Sequence, residues 1–245
     1  MNQQQKNRAA IKRVAVIAIF SALAIVLGLW EIPWPGSIIG LRLDFSDVIT
    51  VISIGIIGFK GTSIMLFIKA LLRFLIIRLG AQLGPWAGMF EEFMALFASF
   101  MYVFSFMILK KVNKAKNIFI KIGIDVAFTS VFLAVTMLFF NFLFSTPMYL
   151  YFLIGADNFH VTVFSMIGDP QYRGALAGIN VKDISVFGFF IFCIVTYVPF
   201  NFVKGISSAL VGTITAARLM TINYVKDIWP NKKLEKENVN DTNIE

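Results

Sequence analysis

The chain of 245 residues has one cysteine, one histidine and few charges. With Cys193 alone no internal disulfide is possible, and its apolar neighbours read as the setting of a buried, inert thiol. His160 has no cysteine or second histidine nearby, which excludes a histidine-based metal site. The Gly-rich Walker A loop is missing, as are a His-Glu-x-x-His pair, a Gly-x-Ser-x-Gly elbow and a Cys-x-x-Cys motif. No catalytic constellation remains, and the chain cannot hydrolyse ATP alone. Charged residues make up 15% of the sequence against 58% hydrophobic, with a mean hydropathy of +0.78. That balance excludes an ordinary soluble domain and indicates a polytopic membrane protein.

What charge there is leans positive, at +8. Its placement argues against nucleic acid. Lys6, Arg8, Lys12 and Arg13 precede the first apolar run, Lys110, Lys111, Lys114, Lys116 and Lys121 form a second group, and Lys226, Lys232, Lys233 and Lys236 a third. Basic groups that flank apolar runs are topology signals, because cytoplasmic loops carry an excess of Lys and Arg.

The expected architecture is all-α, with six transmembrane helices and both termini cytoplasmic. A basic N-terminus at 1–13 precedes a membrane domain at 14–220, and a polar cytoplasmic tail follows at 221–245. The spans are Val14–Trp30, Phe45–Phe59, Thr62–Leu79, Trp86–Leu109, Asn117–Phe144 and Pro199–Leu219. A signal peptide competes for the first of these, since Ala22-Leu23-Ala24 looks like a cleavage site. The apolar run continues past it to Trp30, however, and no soluble mature domain follows. The turns fall at Gly58–Gly61 and Gly80–Pro85, and the basic loop at Lys110–Lys116. The longest polar connection is Ser145–Lys182. An interior proline breaks the helical ladder of hydrogen bonds, so Pro199 is expected to divide the last apolar stretch and leave 184–198 as a separate outer helix or lid.

Threaded with the basic groups inside, the awkward polar residues gather in the outer half of the membrane. Asp44 and Asp47 open the second span, Lys69 and Arg73 lie in the third, and Glu91 and Glu92 lie in the fourth. Asn141 is late in the fifth, and Asn201 and Lys204 are early in the sixth. A charge at the centre of a span costs about 2.5–3.5 kcal/mol on insertion scales, so such a gathering is paired, used, or both. One reading is internal pairing, Lys69 or Arg73 with Glu91 or Glu92 and Lys204 with Asp44 or Asp47. The other is an outward-facing pocket for a polar, aromatic solute. Asn201 and Lys204, three apart, share one helix face. Small residues also repeat at helical spacing: Ala15, Ala18 and Ala22 in the first span, and Ser208, Gly212 and Ala216 in the last. Such a stripe either packs inside the protein or docks another membrane subunit.

Four stretches together carry a family likeness. They are Ile19–Leu27, Leu43-Asp44-Phe45-Ser46-Asp47-Val48, the run from Ile68-Lys69-Ala70-Leu71-Leu72 to Gly84-Pro85-Trp86-Ala87, and Pro199-Phe200-Asn201-Phe202-Val203-Lys204-Gly205. In these the chain resembles the riboflavin-specific substrate-binding component of energy-coupling factor (ECF) transporters. The resemblance implies a flavin pocket near the outer face, a gating loop between the first two helices, and a cell-membrane location. Riboflavin would be a transported ligand rather than a cofactor. Asn201, Lys204 and Asn141 would be ligand contacts. The alanine face of the first helix would dock on a transmembrane coupling subunit that works with two ATP-binding-cassette ATPases. Trp34, Phe45 and Trp86 would supply aromatic walls. The departures are Arg73, where the family often has asparagine, the carboxylates Glu91 and Glu92, and the long outer loop. Arg73 would suit a phosphate, as in flavin mononucleotide. The alternatives are a component for another vitamin and, in a different class, a gradient-driven secondary transporter, for which internal repeats are not visible.

Overall fold

The computed structural model describes residues 3–35, 41–78, 84–179 and 181–222. Most of the expected turn at 80–85 and nearly all of the polar tail lie outside the described residues. The described chain is helical apart from one short hairpin. Helix α1 (Gln3–Leu27) leads into strands β1 (Glu31–Pro33) and β2 (Arg42–Asp44), then α2 (Ser46–Arg73). Helices α3 (Pro85–Val112), α4 (Ile118–Phe140), α5 (Thr146–Ile154), α6 (Val163–Met166), α7 (Pro170–Gly178) and α8 (Val186–Leu219) follow. Two π-helical turns interrupt this order, Phe74–Arg78 after α2 and Asn141–Ser145 between α4 and α5.

Five segments are long and apolar enough to cross a membrane: Ala10–Leu27, Ser46–Ile77, Pro85–Val112, Ile118–Ile154 and Val186–Leu219. Their outward faces are hydrocarbon: Ile64, Phe67 and Leu71 on α2, and Val131, Val135 and Phe139 on α4, are all exposed. In water that arrangement would cost several kcal/mol, whereas in lipid it costs nothing.

Helix α2 is a hairpin. Gly58 leaves helical geometry at φ 70°, ψ 176°, a conformation open to glycine because it has no Cβ. Residues equidistant from the break then face each other. The Ser53 hydroxyl donates to Thr62 Oγ1 at 3.0 Å, and Lys69 Nζ donates to Ser46 Oγ at 2.6 Å. In a straight helix Ser46 and Lys69 would be about 34 Å apart. The turn expected at Gly58–Gly61 is thus made chiefly by one residue. The first leg, Ser46 to Ile57, is only about 18 Å long at 1.5 Å per residue.

Two expectations are corrected. Helix α8 runs unbroken through Pro199, 34 residues and about 51 Å. Losing one hydrogen bond costs about 3 kcal/mol, and here packing on both sides of the proline outweighs it: Phe189, Cys193 and Tyr197 are buried before it, and Phe200, Asn201 and Lys204 after it. The segment 184–198 is therefore the N-terminal half of α8 with its cap rather than a separate lid. It shares a core with Leu150, Val163, Met166, Tyr172 and Leu176 of α5 to α7. Likewise Ser145–Ile154 is helix, not loop. The rod begun by α4 continues through the π-helical turn into α5 and ends at Gly155, whose left-handed φ of 60° closes it.

The two small-residue stripes have different fates. Ser208, Gly212 and Ala216 are buried against α2: a Cβ on Gly212 would lie 2.5 Å from Val51 Cβ, and one on Gly55 would lie 2.8 Å from Ala216 Cβ. Gly205 touches α4 in the same way, where a Cβ would stand 2.7 Å from Ser130 Cα. This stripe is internal packing. Ala15, Ala18 and Ala22 are exposed, because α1 packs through Ile17, Ser21, Ala24 and Leu27 instead. Gly205→Ala must push backbone against backbone and should destabilise the bundle by about 1–3 kcal/mol. Ala18→Leu, on an open face, should not. Thermal unfolding of the two variants in detergent measures the difference.

Candidate functional site

The hairpin places two carboxylates side by side. β1 and β2 pair antiparallel with Glu31 opposite Asp44 and Pro33 opposite Arg42. Arg73 of α2 reaches up between them. Its Nη1 is 3.0 Å from Asp44 Oδ2, its Nη2 is 3.4 Å from Glu31 Oε1, and its Nε is 3.4 Å from Glu92 Oε1 on α3. The guanidinium is almost fully buried, and Gly28 at the end of α1 makes room for it. A Cβ on Gly28 would stand 2.9 Å from Arg73 Nη1. Arg42 closes the cluster outward at 2.9 Å from Glu31 Oε2, and that hydrogen bond and charge raise its pKa above the ordinary arginine value. Burial alone would push the Asp44 carboxyl up. Lys69, Lys204 and Arg73 outweigh it and hold the group well below the usual carboxylate range. Asp44 also accepts from the Ser46 amide at 2.7 Å and from the Ser46 hydroxyl.

A second centre lies deeper. Asp47 is buried and accepts Lys204 Nζ at 2.8 Å and the Ser99 hydroxyl at 2.7 Å, with Lys69 Nζ 4.0 Å away. Lys69 donates to Ser46 and, at 3.4 Å, to Ser99. The expected pairings of Arg73 with Glu92 and of Lys204 with Asp47 are both present.

Below the hairpin is a cavity of about 300 Å³. Glu31, Leu41, Arg42 and Asp44 line its hairpin side, and Arg73 lines it from α2. Phe90, Glu91, Met94, Ala95 and Ala98 come from α3, and Tyr197, Phe200, Asn201 and Lys204 from α8. Met137, Asn141, Ser145 and Tyr149 fall four residues apart along the α4–α5 rod, so one helix face presents all of them. Both π-helical turns begin at this site, one directly after Arg73 and one at Asn141. Single π turns recur at functional sites because they re-aim side chains. Asn141 Nδ2 donates to the Met137 carbonyl at 2.7 Å, and Asn201 Nδ2 to the Tyr197 carbonyl at 2.9 Å. Each amide thereby keeps its Oδ1 out of that bond.

Of the residues singled out in the sequence, Asp44, Arg73, Glu91, Asn141, Asn201 and Lys204 line the cavity. Asp47 stands behind Lys204 and holds it. Trp34 supports the wall indirectly, its ring 5.7 Å from Phe200 in an edge-on contact. Phe45 is 37% exposed at the entry to α2, and Trp86 is 69% exposed in the first turn of α3; neither lines the cavity. The aromatic walls are instead Phe90, Tyr149, Tyr197 and Phe200. Helix periodicity would have found Tyr197, which is four residues before Asn201, and Tyr149, had Ser145–Ile154 been read as helix.

Residues 12–216 match the family model for the substrate-specific component of ECF transporters. The chain belongs to that family. It is thus a multi-pass membrane protein of a transporter's substrate-binding class. This component is 25% identical over 209 residues to the riboflavin transporter FmnP of Bacillus subtilis (strain 168), covering 85% of this chain and 92% of that one. Its fold matches a solved S component of a bacterial ECF transporter with a TM-score of 0.53 at 21% identity, over 89% of this chain and 99% of the other.

Removing Asp47 leaves two ammonium groups in the bundle without their shared carboxylate. Breaking a buried pair by deleting one partner costs about 3–5 kcal/mol. Asp47→Ala should therefore lower the unfolding temperature, and more than Asp47→Asn, which loses the charge but keeps an acceptor for Ser99 and Lys204. An equal effect of the two in a thermal scan would show that the lost charge, not the lost acceptor, accounts for the cost.

Proposed function

We propose that this component binds riboflavin at the outer face of the cell membrane and delivers it inward through an ATP-driven ECF complex. The cavity carries the reading. Ligand pockets for small molecules are usually about 300–1,000 Å³, mostly apolar, with a few convergent polar groups. Phe90, Tyr197 and Phe200 offer faces for a planar ring system, and Met94 and Met137 fill around it. Asn141, Asn201 and Lys204 offer two acceptor oxygens and a donor to the ring's imide edge or to the ribityl hydroxyls. The relative from Bacillus subtilis, which the alignment covers almost end to end, supports flavin over other vitamins.

On this reading the Gly58 hairpin counts as two of six spans, and the excess of basic groups at the chain's ends and at 110–121 supports cytoplasmic termini. The hairpin of β1 and β2 and the helices α5 to α7 then lie outside. Ala15, Ala18 and Ala22, open on α1, form the face that docks on a transmembrane coupling subunit working with two ABC-type ATPases.

Riboflavin added to the purified protein should lose its fluorescence stoichiometrically, and Asn201→Ala or Asn141→Ala should weaken binding by about tenfold to a hundredfold. No quenching by folded protein would remove the flavin reading. Ala18→Arg or Ala22→Arg should abolish uptake by cells while sparing flavin binding; loss of both together would refute the separation of the docking face from the pocket.

A further inference from the structure

Lys69 is buried and absent from the cavity lining, yet it stands between the two carboxylate centres. Its Nζ is 2.6 Å from Ser46 Oγ and 3.4 Å from Ser99 Oγ. An ammonium has three donors and no acceptor, so both hydroxyls accept from it. Each serine is left with one hydrogen to give. Ser46 gives it to Asp44 Oδ1, and Ser99 gives it to Asp47 Oδ1 at 2.7 Å. The carboxylates in turn hold two cations that line the cavity. Asp44 Oδ2 is 3.0 Å from Arg73 Nη1, and Asp47 Oδ2 is 2.8 Å from Lys204 Nζ. Two hydrogen-bonded relays thus start at one ammonium and end at the polar wall.

Neither carboxylate depends on Lys69 alone for a counter-ion, since Arg73 is bonded to Asp44 and Lys204 to Asp47. What Lys69 adds is direction. A hydroxyl turned the other way would set its lone pairs against a carboxylate, whereas a hydroxyl that already accepts from a cation is polarised to donate. Lys204 carries its charge on a flexible four-carbon stem, so its ammonium stays in place only while Asp47 does. A donor already held in place adds less ordering cost when a solute binds.

We propose that Lys69 is a positioning residue for flavin binding, acting through Ser46 and Ser99 on Asp44 and Asp47, and through these on Arg73 and Lys204. The inference rests on the flavin reading above.

Riboflavin affinity would be measured by fluorescence quenching, alongside thermal unfolding, for purified full-length wild type, Lys69→Met, Ser99→Ala, Asn141→Ala and the doubles that pair Lys69→Met with each of the others. Lys69→Met should weaken binding by about tenfold and Ser99→Ala by about threefold. The Lys69→Met/Ser99→Ala double should bind like Lys69→Met alone, because both changes cut one relay. Asn141 lies on the α4–α5 rod and bonds to Met137, so its effect should multiply with that of Lys69→Met. Riboflavin binding by Lys69→Met at the wild-type level would overturn the inference and leave the flavin reading standing. So would an effect that multiplies equally with Ser99→Ala and Asn141→Ala, which would mark a general loss of structure. Should Lys69→Met fail to fold, Ser99→Ala decides, since it alters no charge: weaker binding supports the relay, and wild-type affinity overturns it. Folded wild type that binds no riboflavin would remove the flavin reading and this inference with it.

Discussion

Charge matching in an apolar medium is the constraint on which the rest of this structure depends. A lone charge in hydrocarbon is expensive, so each ionised group placed there must meet a partner of opposite sign at short range. Asp47 meets that demand for Lys204 on α8 and lies near Lys69 on the returning leg of the α2 hairpin, while Arg73 does so for carboxylates on β1, β2 and α3. Two side chains thus fix how the hairpin strands, α2, α3 and α8 sit relative to one another. Lipid supplies no hydrophobic force to press helices together, so the rest of the bundle relies on close backbone approach. Gly205 and Gly212 of α8 provide it on either side, against α4 and α2.

The same matching shapes the cavity. Groups drawn inward to satisfy one another leave a space whose polar side is rigid and already paired. Its other side is made by residues four apart on three helices, apolar groups with two amides among them: Phe90 and Met94 on α3, Met137 and Asn141 on the α4–α5 rod, and Tyr197 and Asn201 on α8. A solute entering such a space finds preorganised partners rather than charges in search of a counter-ion. That geometry favours orientation by hydrogen bonds to neutral groups, with little rearrangement on binding.

Much of this was legible in the residues. Composition alone indicated a membrane protein, Gly58 the hairpin, and the depth of each polar residue the gathering of Asp44, Arg73, Asn141, Asn201 and Lys204 around one space. What differs shares a physical cause: tertiary packing overrides local propensity. Pro199 costs one hydrogen bond, and a helix packed on both sides of it absorbs that loss. Ser145 and Pro147 look like loop residues, yet the π-helical turn carries the chain past them and brings Tyr149 onto the face of Asn141. Residue type alone suggests Trp86 as a wall, but where a side chain lies depends on where α3 begins its first turn, and this ring is exposed and outside the cavity lining. Glu31 is not legible as a site residue because its partner across the hairpin, Asp44, is set by strand register, which spacing along the chain does not reveal.

Arg73 also joins the first helix to the site. The end of α1 packs Gly28 against its guanidinium, and β1 begins three residues later with Glu31, which the same guanidinium holds. The strand hairpin over the cavity therefore cannot swing away without separating Arg73 from Glu31 and Asp44. It equally cannot settle closer, because the space beside Gly28 is already filled. The exposed alanines of α1 lie on the same helix, facing the opposite way. A shift of α1 along its axis would move Gly28 past Arg73 Nη1, and the same guanidinium holds the strand hairpin through Glu31 and Asp44.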